Sequence, residues 1–227
     1  NVNIIFDGDY KVNLDYANGL DGVPFIGYLE IDPTFTSSPT SQGRTYSTDA
    51  SGTSCPTSRS GGDAYMGIYT GKSTINISCT VMWLNYDVSS IGNSNVVSSA
   101  SITYDVTSVT NPKNIDWKHL ATTASDNEAT YDAFSQDIGS VNTIVTNSAN
   151  ANSVANGNVD IFDSSSHTLL DADIAGDNQV SIGAFHNGLR DSVVHDTVFG
   201  AFTGSSPFTL TMTYEIPTVP TATPTSL

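Results

Sequence analysis

The side chains best suited to hold an ion are the aspartates of one short stretch. Asp171, Asp173 and Asp177 flank Gly176, and Asn178 follows. A hard cation such as calcium takes six to eight oxygen ligands, and closely spaced aspartates supply them. The stretch lacks the oxygen ligands that an EF-hand needs at its fifth and twelfth positions, where Ala175 and Ile182 stand. It is therefore read as a candidate calcium loop of another kind. Calcium is the only cofactor the sequence suggests.

Other chemistry is thinner. Cys55 and Cys79 are the two cysteines, and in an exported protein such a pair predicts one disulfide. Asn76-Ile77-Ser78 is a sequon for N-glycosylation. Its neighbours alternate so that Asn76 points away from the core. A glycosidase needs two facing carboxylates. Glu30 and Glu215 are the glutamates placed on strand-like segments, and Glu215 falls on the polar side of its strand. Trp117 beside Lys118 and His119, with Tyr65 and Tyr69, could form a flat platform for a sugar. The histidines, His119, His167, His186 and His195, show no zinc-binding spacing. Gly71-Lys72-Ser73 lacks the upstream glycine of a phosphate loop, with Met66 in its place.

Those residues must be positioned by strands. Phe208, Leu210, Met212, Tyr214 and Ile216 alternate with Thr209, Thr211, Thr213 and Glu215. Period-two alternation of this kind marks a strand with one buried face. Ile75 to Trp83 and Ala100 to Val106 repeat the pattern. Further strand candidates cover 2–6, 10–16, 25–31, 64–70, 141–146, 158–162, 167–174, 179–186 and 193–202. One segment departs from it. Ser125 and Glu128 form a capping box, Tyr131, Phe134 and Ile138 follow at helical spacing, and Gly139 can end the helix. The expected fold is all-β: a jelly-roll-like sandwich of two antiparallel sheets with one short helix at about 126–138.

The expected organisation is a single β-sandwich domain over 1–216, with a long Ser/Thr/Gly loop at 36–63. A Thr/Pro-rich tail or linker follows at 217–227. Its prolines and threonines favour an extended rod.

Charge and composition narrow the function. The chain has 227 residues, 23 acidic and 7 basic side chains and a net charge of −16. No basic stripe exists to displace the counterions of a nucleic acid, which excludes that partner. No run of apolar residues is long enough for a membrane helix. Of the 23 acidic residues only Glu30, Glu128 and Glu215 are glutamates. Aspartate suits turns and caps, so the balance disfavours a helical bundle.

The first reading is a non-catalytic, secreted structural or adhesive protein at the cell surface. Self-association fits this reading, as a surface filament built by donation of an N-terminal strand. Val2, Ile4 and Phe6 would be the donated face. The alternative is a carbohydrate-binding module, with calcium as a possible requirement. A β-sandwich glycoside hydrolase and a viral shell protein rank below both.

Overall fold

The computed structural model describes residues 2–7, 11–16, 33–49, 60–61, 65–72, 77–120, 142–187, 193–201 and 207–216. The chain divides into two units, Asn1–Ile31 and Asp32–Leu227. In the first, β1 (Val2–Asp7) and β2 (Lys11–Tyr16) form an antiparallel ribbon. Val2, Ile4 and Phe6 stand opposite Tyr16, Leu14 and Val12.

Among its described residues the second unit is an all-β sandwich with one short α-helix. Its small sheet runs in the order β12 (Ala155–Ile161), β8 (Val96–Val106), β15 (Phe208–Glu215), β3 (Thr34–Ser37). The large sheet has nine strands. Its main path is β11 (Thr143–Ser148), β10 (Ile115–Leu120), β13 (Gln179–His186), β7 (Ile77–Asp87), β6 (Tyr65–Lys72), β14 (His195–Ala201) and β9 (Ser108–Thr110). The strand β4 (Ser41–Asp49) pairs with β7 and with the two-residue β5 (Ser60–Gly61). Every described pairing is antiparallel.

The alternating residues of β15 behave as their pattern requires. Phe208, Leu210 and Met212 are buried, while Thr209, Thr211 and Thr213 are half-buried on the other side. Beneath them the core holds an aromatic cluster of Tyr104, Trp117, Phe199 and Phe208. Their ring centroids lie between 5.2 and 6.4 Å apart. The tilted and edge-on geometries place ring edges against ring faces, which the aromatic quadrupole favours.

Four expectations meet a different outcome or fall outside the described residues. Residues 167–174, expected as a strand, are helical: α1 spans His167–Ala175 and buries Leu170 and Ile174. Those two residues lie four apart, one turn of helix, so both face the core. The expected helix at 126–138 lies outside the described residues. Within the expected loop 36–63, β4 pairs along nine residues of β7, from Ser41 opposite Asn85 to Asp49 opposite Ile77. Gly43 of β4 lies directly under Trp83 of β7. A Cβ at Gly43 would come within 2.2 Å of the indole. The tail 217–227 also lies outside the described residues.

Candidate functional site

The chemistry gathers around β10, whose six residues are all buried. Trp117 and His119 are two residues apart and so share one face of the strand. Each meets an aspartate brought by a different element.

At Trp117 the partner is Asp160 of β12. Its Oδ2 accepts from the Tyr104 hydroxyl at 2.8 Å and from Trp117 Nε1 at 2.7 Å. Its Oδ1 accepts from Ser148 Oγ and Asn150 Nδ2, both at 2.6 Å. Asp160 is only 3% exposed. A buried carboxylate is costly unless its lone pairs are filled, and here four donors fill them. The donors come from β8, β10, β11 and the 3₁₀ turn Asn150–Asn152. The cluster thereby ties the small sheet to the large one. Burial and the adjacent Asp160 carboxylate push the Tyr104 phenol well above its ordinary range, so it remains a donor.

At His119 the partner is Asp173 of α1. His119 Nε2 lies 2.8 Å from Asp173 Oδ2. Against an ionised carboxylate, Nε2 must carry the hydrogen. The opposite nitrogen, Nδ1, is buried and has no hydrogen-bond partner among the described residues. Burial raises the pKa of Asp173, its pairing with His119 opposes that shift, and nearby Asp177 adds to it.

Two further histidines meet at the end of β13 and the start of β14. The rings of His186 and His195 are 6.1 Å apart and both are buried. His186 Nε2 lies 3.1 Å from Thr197 Oγ1. His195 Nδ1 donates to the Asn111 carbonyl at 2.6 Å. Burial, then His195 and Lys113, lowers the pKa of His186 to about 3. The imidazole is therefore neutral at ordinary pH.

The residues expected to do chemistry are placed as follows. Asp171 Oδ1 accepts from the Val97 backbone N–H at 2.8 Å. Asp173 binds His119, and Asp177 Oδ1 accepts from the Gln179 N–H at 3.1 Å. The three carboxylates are thus engaged by separate protein groups. Among the described residues no three His, Cys, Asp or Glu side chains gather as a metal site. Trp117 is fully buried with its indole N–H on Asp160, so it is no sugar platform. The sequence misleads here because both faces of β10 are covered, and exposure does not alternate along it. Tyr65 and Tyr69 lie on β6, and their side chains are outside the described set. Glu215 is exposed at the end of β15, while Glu30 lies outside the described residues. Cys79 sits on β7 opposite Thr70 and Ser47. Its expected partner Cys55, and the sequon residue Asn76, also lie outside. The strand carrying Val2, Ile4 and Phe6 pairs with β2 of its own chain, which supplies backbone partners along one of its edges.

Asp160 is the residue that the sequence reading missed. In Asn158-Val159-Asp160-Ile161-Phe162, alternation suggests that Val159 and Ile161 face inward. The structure reverses this: Asp160 is buried, and Val159 and Ile161 stand 46% and 72% exposed. No family model and no curated protein matches this sequence.

Proposed function

We propose that this chain is a secreted, non-catalytic structural or adhesive β-sandwich protein of the cell surface. The observation that carries the reading is the use made of Asp160. Its carboxylate, a group of the kind that performs acid–base or nucleophilic chemistry, is instead saturated by four donors that join the two sheets. Asp116 is treated alike. Its Oδ1 accepts from the Asn147 N–H and from Asn187 Nδ2, both at 2.6 Å. Such hydrogen-bonded networks rigidify a sandwich and specify its packing.

Donation of an isolated N-terminal strand is not part of this proposal, because β1 already has β2 as a partner. The carbohydrate-binding alternative loses Trp117, its principal platform residue.

Purified protein imaged by negative stain, and tested for retention on cell-wall material, addresses the reading directly. Assemblies, or retention that leaves the material chemically unchanged, are expected. Hydrolysis of a polysaccharide or a chromogenic glycoside that is lost in Glu215→Gln would overturn it.

A further inference from the structure

The dipeptide Asn-Gly occurs at Asn18-Gly19, Asn156-Gly157 and Asn187-Gly188. It is a chemically labile pair. The backbone nitrogen that follows an asparagine can attack the asparagine's own side-chain carbon, and glycine has no side chain to obstruct the approach. A sheet opposes this reaction in two ways. Ladder hydrogen bonds hold the backbone still, and the attacking nitrogen must give up its proton.

Both barriers are lowered at Asn156-Gly157. The pairing of β12 with β8 passes from Ala155 opposite Val106 to Asn158 opposite Tyr104. Asn156 and Gly157 therefore stand together against Asp105 alone, as a β-bulge outside the regular ladder. Both are exposed. Gly157 has φ +70°, a left-handed conformation that suits glycine, and a Cβ there would meet nothing within 4 Å. Its N–H donates to Asp105 Oδ1 at 2.7 Å. The nitrogen that must be deprotonated thus already faces a carboxylate, at the distance a general base requires. Asn187 is the contrast. Its N–H donates to the Asn114 carbonyl at 2.8 Å, and its Nδ2 donates to Asp116 Oδ1 at 2.6 Å. Asn18-Gly19 lies outside the described residues.

We infer that Asn156-Gly157 is a self-modifying site, at which Asp105 serves as the base for deamidation. The Asp105 carboxylate takes the Gly157 N–H proton as that nitrogen attacks Asn156 Cγ. The new N–C bond closes a succinimide ring. The bond from Cγ to Nδ2 breaks, and the proton passes from Asp105 to the leaving nitrogen, which departs as ammonia. Water then opens the ring at either carbonyl, so that residue 156 becomes aspartate or isoaspartate. Either product adds a negative charge beside Asp105. Isoaspartate also inserts a carbon into the main chain of β12, the strand that carries Asp160.

The test is incubation of the full chain at neutral pH, native and in urea, with peptide mass spectrometry following each Asn-Gly pair over time. In the native chain Asn156 should convert faster than Asn187, and ion exchange should resolve a product with one more negative charge. Urea should slow Asn156 and speed Asn187, because the fold supplies a base to the first and restrains the second. Asp105→Asn keeps an acceptor for the Gly157 N–H and removes the base. It should slow native conversion of Asn156 by about tenfold or more, with Asn187 unchanged. Asp105→Ser is the second variant should the first not fold. A purely structural Asp105 would give the opposite sign, since a loosened bulge reacts faster. Native Asn156 that stays intact overturns the inference. So does Asn156 that reacts faster in urea, or that reacts in the Asp105 variants at the parent rate or above.

Discussion

Trp117 and His119 sit on the same face of the same buried strand, yet the aspartates that meet them are in opposite states. Asp160 receives four hydrogen bonds from four separate elements. Asp173 receives one from His119, and burial with nearby Asp177 raises its pKa. The first carboxylate is a tie between the sheets. The second is a weaker latch between α1 and β10, backed by an imidazole nitrogen with no partner among the described residues. A buried charge is thus stabilising or merely tolerated according to how many donors surround it.

The largest effect should come from breaking the stronger member. Asp160→Ala removes the acceptor for Tyr104, Trp117, Ser148 and Asn150 and leaves buried donors unmet. A loss of about 3–5 kcal/mol is expected in urea unfolding. A loss below about 1 kcal/mol would mean that water or neighbouring groups replace the carboxylate.

Acid titration sharpens the comparison with a site that has a second imidazole in place of a carboxylate. The pKa of His186 falls from an ordinary 6.5 to about 3 in the fold. The unfolded chain therefore takes up this proton first. Stability is complete above about pH 6.5 and declines as pH falls from there toward 3, by up to about 1.4 kcal/mol per unit. His186→Gln should flatten this limb of the pH profile of Tm. An unchanged slope would assign the acid sensitivity to other groups.

Removing one donor should cost far less than removing the acceptor. Tyr104→Phe takes one hydrogen bond from Asp160 and keeps the ring against Trp117, Phe199 and Phe208. About 1 kcal/mol is expected in the same unfolding assay. A double-mutant cycle with Ser148→Ala would report whether the four donors act as one network.

The smallest effect belongs to the weaker member. Asp173→Asn removes a charge that burial disfavours and keeps a group able to accept from His119. A change within about 1 kcal/mol is expected at neutral pH. The sign with pH is also set. An acid whose pKa is raised by folding favours the folded state at low pH, and that contribution is lost as pH rises through its folded pKa. The variant should lack this component. A loss as large as that of Asp160→Ala would erase the distinction between the two sites.

Local pattern was a sound guide where one face of a strand meets the core and the other meets solvent. β15 and much of β8 obey that rule, and both were legible as strands. The pattern misled in three physical situations. In β10 both faces are covered, so Trp117 and Lys118 look like surface residues and are not. In β12 a saturated aspartate overrides the apolar pattern and turns Val159 and Ile161 outward. In α1 a nine-residue stretch is too short for periodicity to separate helix from strand. The spacing of Leu170, Ile174 and Gly176 was the signal available there. No comparable signal marked Asp160, because its donors come from segments as far as 56 residues away.

By itself, the amino-acid sequence determined the β class, the strong negative charge and the threonine-lined side of β15, because these follow from composition and nearest-neighbour alternation. Only the tertiary structure decided which aspartate holds the sheets together, which tryptophan is hidden and which way Val159 and Ile161 face. Those depend on hydrogen bonds and burial between residues far apart in the chain, which a local pattern does not encode.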